Sequence, residues 1–147
     1  MQRLEALVAE LPDLHIVCRD DEDYTARRKI YNSAINKRPL AIVVPKAADE
    51  VASTIRFARR NGVDISVRAG GHDMFGRALV EDGILIDIRK LDDVKVDKDA
   101  GTAKIGGGVL SEKLSKVLAE HGCITPCPNI ATYNDTSDPC FVGNLLT

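Results

Sequence analysis

A continuous apolar run, Leu40-Ala41-Ile42-Val43-Val44, stops at Pro45 and is followed at once by a helical pattern. A run of strand length with no polar face reads as a strand covered on both sides. Residues 49–60 then carry apolar side chains at helical spacing, Val51, Ile55 and Ala58, with Ala52 and Phe57 beside them. Asp49 and Glu50 suit the positive end of a helix, and Gly62 supplies its stop. A second strand follows. Its Ile65 and Val67 alternate as on a half-buried strand, and it runs into Gly70-Gly71. Strand, helix, strand, with a glycine loop at the carboxyl end of the second strand, is the order of a parallel βαβ unit.

Residues 84–88 and 102–105 predict further strands, with a turn between them at Asp97-Lys98-Asp99-Ala100-Gly101. Leu110, Leu114, Val117 and Leu118 form the stripe of a last helix that Gly122 closes. Residues 2–10 predict a short amphipathic helix with Leu4, Leu7 and Val8 on one face. Residues 20–38 are polar and carry little periodicity, so they read as an irregular lead-in with a helical turn around residues 27–31. The expected fold class is α/β (α+β in some schemes). A βαβ lobe spans about residues 25–85, and a second α+β lobe starts near Ile84.

Length and composition narrow the function classes. The 147 residues make one domain's worth of chain, and 44% hydrophobic with 29% charged residues reads as soluble and globular. A net charge of −2, with acidic and basic residues interspersed, gives no nucleic-acid footprint and no polybasic membrane patch. No apolar stretch reaches bilayer-spanning length, and the N-terminal residues lack the apolar core of a signal peptide. Four scattered cysteines fit free thiols better than a disulfide framework. The expected location is therefore cytoplasmic; loss of a signal sequence would make it secreted.

The chemistry concentrates in Ser66-Val67-Arg68-Ala69-Gly70-Gly71-His72-Asp73. Gly70-Gly71 lets the backbone take positive φ and approach another group closely. Successive N–H groups in such a turn form a concavity that binds anions, phosphate above all. Arg68 adds positive charge, and His72 stands where a nucleophile or ligand can face the bound group. A strand, a phosphate nest and a histidine within eight residues predict a cofactor site. The plainer alternative is a Gly-Gly turn that closes a strand and leaves a histidine exposed.

The run from Arg68 to Asp73 resembles the flavin-attachment loop of the berberine bridge enzyme-like oxidases. These are flavoproteins with a vanillyl-alcohol-oxidase-type, or PCMH-type, FAD-binding domain. The resemblance continues through Pro45, Glu50-Val51, Phe57-Ala58 and Asn61-Gly62. It extends through the strands at Gly83-Ile84-Leu85-Ile86-Asp87-Ile88 and Val94-Lys95-Val96-Asp97. Thr102-Ala103-Lys104-Ile105-Gly106-Gly107-Gly108, His121-Gly122 and Cys127-Pro128-Asn129-Ile130 belong to it as well. It covers residues 25–132, after a lead-in helix in residues 1–24.

The resemblance implies FAD as cofactor, contacted by Arg68, Ala69, Gly70, Gly71, His72, Asp73 and Gly76. It implies a covalent bond from His72 to the methyl carbon at position 8 of the flavin ring. Cys127 is then either a second covalent link or an idle thiol. The implied reaction moves a hydride from a small organic substrate to the flavin, with reoxidation by oxygen. The base in such enzymes sits in a separate substrate domain, so no residue here is assigned that role. Two departures stand out. Asp73 occupies a position where the family often has Asn, and Gly76 is followed by Arg77-Ala78 without the family's serine. A carboxylate beside a diphosphate is unfavourable unless it caps backbone N–H groups or points away. The pattern stops after Thr132, and residues 133–147 read as a divergent tail of a truncated or mis-joined oxidase. The alternative is a non-catalytic flavin-binding fragment.

Other motifs are weaker. His121, Cys123 and Cys127 lack the second close-spaced doublet of a zinc site, so no metal is assigned. Gly106-Gly107-Gly108 followed by Ser111 grazes a dinucleotide fingerprint, yet the acidic residue that should follow is not evident. It reads as a turn and helix start with room for a cofactor contact. His15 has no partner near it in sequence and no assigned role.

Overall fold

The computed structural model describes residues 2–126 and 140–144. Helix α1 (Gln2–Glu10) buries Leu7 fully, with Leu4, Ala6 and the following Leu11 half-buried around it. Val8, expected on the same face, is 46% exposed. The stripe that packs is Leu4, Leu7, Leu11, which keeps helical spacing and leaves Val8 one position off it. Strand β1 (Ile16–Cys18) and the one-turn helix α2 (Tyr24–Arg27) come next. Strand β2 (Ala41–Val43), helix α3 (Ala48–Asn61), β3 (Ile65–Arg68) and β4 (Ile84–Asp87) complete the first lobe. A 3-10 turn (Ile88–Lys90) leads out of it.

The first sheet has the order β1-β2-β4-β3. Strands β2, β4 and β3 are parallel, as the βαβ pattern requires, and β1 is an antiparallel edge. Every residue of β2 and β4 is buried. One face packs Ala41, Val43, Ile84 and Ile86 against Leu7, Phe57 and Ala58. The other packs Ile42, Val44 and Leu85 against Val17, Tyr24 and Leu79. Cover on both faces is why these strands read as unbroken apolar runs. Each fully buried large aliphatic or aromatic side chain contributes about 1.5–3 kcal/mol.

Two faces differ from the sequence reading. On α3 the buried residues are Thr54, Phe57 and Ala58, and Ile55 points outward. Thr54 can be buried because its hydroxyl donates to the Glu50 carbonyl at 2.8 Å within its own helix. On β3 the alternation is reversed: Ser66 and Arg68 face inward, while Ile65 and Val67 are 39% and 47% exposed. The cause is electrostatic, because Arg68 is the register partner of buried Asp87 on β4. Strand β1 was also not foreseen; three residues are too short to show a period.

The second lobe contains β5 (Val94–Asp97), β6 (Thr102–Gly106), helix α4 (Ser111–Glu120) and β7 (Cys140–Asn144). Its sheet is antiparallel, in the order β5-β6-β7. Ala103, Ile105, Val109, Leu118 and Cys123 form its core. The sequence showed no strand after Thr132, since the polar run of residues 133–139 masks the short β-prone segment Cys140-Phe141-Val142. The lobes meet at the glycine triplet. Gly108 donates its N–H to the Leu91 carbonyl at 2.9 Å, and a Cβ on it would stand 1.9 Å from the Ile88 carbonyl oxygen. Close backbone approach accounts for that glycine. Among the described residues no helix is long and apolar enough to cross a membrane.

Candidate cofactor site

Parallel strands expose their carboxyl ends on one side of a sheet, where ligands of open α/β sheets bind. Here β3 ends in Arg68 and β4 in Asp87, directly paired. Asp87 is fully buried and Arg68 is 7% exposed. An isolated buried charge is costly, so more partners are required. Arg89 supplies them, donating to Asp87 from Nε at 2.8 Å and from its terminal nitrogen at 2.6 Å. The guanidinium of Arg27 lies 3.6 Å from the same carboxylate and that of Arg68 4.0 Å away.

Asp23 also accepts from Arg27 at 3.0 Å, so three guanidiniums share two carboxylates and leave a local excess of positive charge. Burial pushes the Asp87 carboxyl up, but the hydrogen bond and charge of Arg89, and the charge of Arg68, outweigh it and hold the group below the usual range. Burial pulls Arg68 down to about 10, and repulsion from Arg89 and Arg27 works in the same direction, against the attraction of Asp87. Arg68 donates to the Arg27 carbonyl at 2.8 Å, yet its buried Nε has no hydrogen-bond partner among the described residues.

The glycine loop folds over this guanidinium. Gly71 adopts φ +76°, and a Cβ there would sit 3.0 Å from Arg68 Nε, so a larger residue meets both backbone strain and contact. The lead-in segment then straps the loop down. The Tyr31 N–H donates to the Gly71 carbonyl at 2.8 Å, and Asn32 Nδ2 to the Met74 carbonyl at 2.8 Å. Lys37 Nζ donates to the carbonyls of Gly76 and Leu79, at 3.0 and 3.1 Å. Ile35 lies against Gly76. The Tyr31 ring stacks on the His72 imidazole with centroids 5.3 Å apart and planes at 26°.

Asp73 turns back on its own loop. It accepts from the N–H groups of Phe75, Arg77 and Ala78 and from the Arg77 side chain. Burial raises its carboxyl, but these hydrogen bonds outweigh that and set it below its ordinary value. The electrostatic conflict foreseen for a carboxylate at this position is thus resolved by capping.

A shallow pocket of about 320 Å³ opens beside the loop. Lys29, Arg68 and Arg89 supply its cations, His72 and Gly70 its loop edge, and Ile30, Tyr31 and Leu110 its apolar wall. Leu110 precedes α4, so the second lobe closes one side. Among the described residues no carboxylate lines the pocket. Of the predicted residues, Arg68, Gly70 and His72 reach it. Ala69 and Gly71 lie within the same turn, and Asp73 and Gly76 shape the loop behind. Cys127 lies outside the described residues. His121 Nδ1 stands 2.9 Å from the Val117 carbonyl, and Cys123 Sγ donates to the His121 carbonyl at 3.5 Å.

Sequence reasoning missed Arg27, Tyr31, Asp87 and Arg89. An aspartate closing an otherwise apolar strand, Ile84-Leu85-Ile86-Asp87, is itself a signal, because a buried carboxylate demands cations. Tyr31 gave none; it sits in a stretch without periodicity.

The model for the family described as FAD binding domain matches residues 39–145. FAD-linked oxidoreductase aurO of Gibberella zeae is 37% identical over 122 residues, 83% of this chain and 24% of that protein. Berberine bridge enzyme-like D-2 of Nicotiana tabacum is 34% identical over 128 residues, 81% of this chain and 23% of that protein. The chain therefore spans about a quarter of the length of these relatives. The crystal structure of 6-hydroxy-D-nicotine oxidase from Arthrobacter nicotinovorans superposes with a TM-score of 0.80 at 32% identity, over 82% of this chain and 27% of that one. Glucooligosaccharide oxidase from Acremonium strictum shares the fold, with a TM-score of 0.79 at 20% identity over 90% of this chain and 28% of that one. That protein is described as carrying a 6-S-cysteinyl, 8α-N1-histidyl FAD.

Proposed function

The chain belongs to the FAD binding domain family, which includes FAD-linked oxidoreductases and berberine bridge enzyme-like proteins, and we propose that the pocket beside residues 68–76 is where it holds FAD. The observation that carries this reading is the cationic cluster under the loop, whose charge Asp87 and Asp23 offset only in part. Arg68 is buried with an unpartnered Nε and a lowered proton affinity, so an anion in the adjoining pocket would relieve a charge that the protein alone leaves poorly compensated. A diphosphate meets that need. Arg68, Arg89 and Lys29 would balance its charge, and the turn at Ala69, Gly70 and Gly71 would let the backbone approach it. Asp73 and Gly76 would hold the loop's shape without facing the ligand. Ile30, Tyr31 and Leu110 offer apolar surface for a ring system.

His72 is the covalent anchor in this reading. It lies on the pocket edge, and its imidazole nitrogen supplies a lone pair for bond formation. Cys127 is the proposed second link. Bound there, FAD would supply hydride acceptance from a small organic substrate and electron transfer to oxygen. The test uses acid precipitation of the flavin-loaded chain. Wild type should retain yellow colour in the pellet. His72→Ala should lose most of it, and Cys127→Ser should lose a smaller share. A His72→Ala pellet as yellow as wild type would remove His72 from the role.

A further inference from the structure

We propose that Tyr31 is a positioning residue for His72, fixing the imidazole plane for bond formation to the flavin; this rests on the reading of His72 as the anchor. Three contacts from the lead-in segment hold this histidine and the loop around it. The Tyr31 N–H holds the Gly71 carbonyl on one side, and the Asn32 amide holds the Met74 carbonyl on the other. The main chain on either side of His72 is thereby held, and rotation of the imidazole is set by the contacts of its own side chain. The Tyr31 ring restricts that rotation, stacked at 5.3 Å and 26°. Both side chains border the same pocket. Tyr31 is 66% exposed and, among the described residues, belongs to no core cluster, so its ring contributes little to the fold and its aromatic contact is with His72.

The bond-forming step gains from this restriction, since rates fall when a nucleophile samples unproductive orientations. In balance, one C–H bond of the flavin methyl group and one N–H bond of the imidazole give way to an N–C bond. The two electrons and two protons released end on dioxygen as hydrogen peroxide. Stacking of this type corresponds to roughly a three- to tenfold bias toward the aligned orientation.

The experiment adds FAD to the flavin-free 147-residue chain and follows acid-stable flavin over time. Flavin retained through gel filtration before acid treatment is measured alongside. Tyr31→Ala keeps the backbone hydrogen bond and removes only the ring. It should slow attachment by about three- to tenfold, compared at FAD concentrations that saturate each variant. Tyr31→Phe, which keeps the ring, should match wild type. In the flavin-free chain, the carbon-bound protons of His72 should lose their ring-current displacement in Tyr31→Ala and keep it in Tyr31→Phe. Wild-type attachment by Tyr31→Ala at saturating FAD, equal slowing by Tyr31→Phe, or unmoved His72 protons would each overturn the assignment. Acid-stable flavin at wild-type levels in His72→Ala would instead overturn the underlying anchor reading, and this inference with it.

Discussion

Asp87 lies fully buried with the guanidiniums of Arg27, Arg68 and Arg89 around it. Replacing it by Asn keeps the shape and removes the buried negative charge. Breaking a buried ion pair costs about 3–5 kcal/mol. Asp87→Asn should therefore lower the denaturant midpoint by a large fraction of the total stability, in urea unfolding at neutral pH. A pH series separates charge from packing. The folded carboxyl is held below its ordinary value, near 3.9 in an unfolded chain. Its stabilisation is then complete above about pH 4–5 and is lost as pH falls through the folded value. Wild type should show this acid loss more steeply than Asp87→Asn, and parallel curves would contradict the account. Residue by residue, His72, Gly71 and Arg68 were legible because the motif is local. Asp87, Arg89 and Tyr31 were not, because their roles arise only once β3 pairs with β4 and the lead-in folds back on the loop.

At the scale of elements, the loop is shaped by the segment that precedes the sheet in sequence. Lys37 alone ties down two carbonyls, those of Gly76 and Leu79. Lys37→Met preserves most of the side chain's length and removes both charged hydrogen bonds, each worth about 1.5–3 kcal/mol. Amide exchange in residues 74–80 should speed up by one or more orders of magnitude, while β2 and β4 exchange as in wild type. Unchanged exchange in the loop would mean that the strap does not hold it. Strands β2 and β4 and helix α3 could be read from sequence because burial imposes a period or an unbroken run. The facing of β3 could not, since its inward residues are Ser66 and a charged arginine, Arg68, and its outward residues are Ile65 and Val67. Strand β7 was hidden for a different reason: its pairing with β6 is a backbone event that a five-residue segment does not announce.

At the scale of the whole molecule, two lobes meet through backbone contacts at Gly108 and share a pocket whose walls come from both. A ligand bound there touches Arg68 of one lobe and Leu110 beside the other, so it should stabilise their docking as well as each lobe. A ligand present at a hundred times its dissociation constant adds about 2.7 kcal/mol to folding stability. The order of the elements was legible in outline from the strand-helix-strand pattern. The lobe junction was not, because the glycine triplet reads in sequence as a turn and helix start, and the carbonyls of Leu91 and Ile88 that pack against Gly106 and Gly108 are distant from it in sequence.

The central claim is that this chain holds FAD. It is tested most directly by mixing the purified 147-residue chain with excess FAD, separating free ligand by gel filtration and recording the visible spectrum of the protein peak. The account predicts the flavin bands at about one flavin per chain, with a higher thermal midpoint than the flavin-free chain. A colourless protein peak and an unmoved midpoint would contradict it.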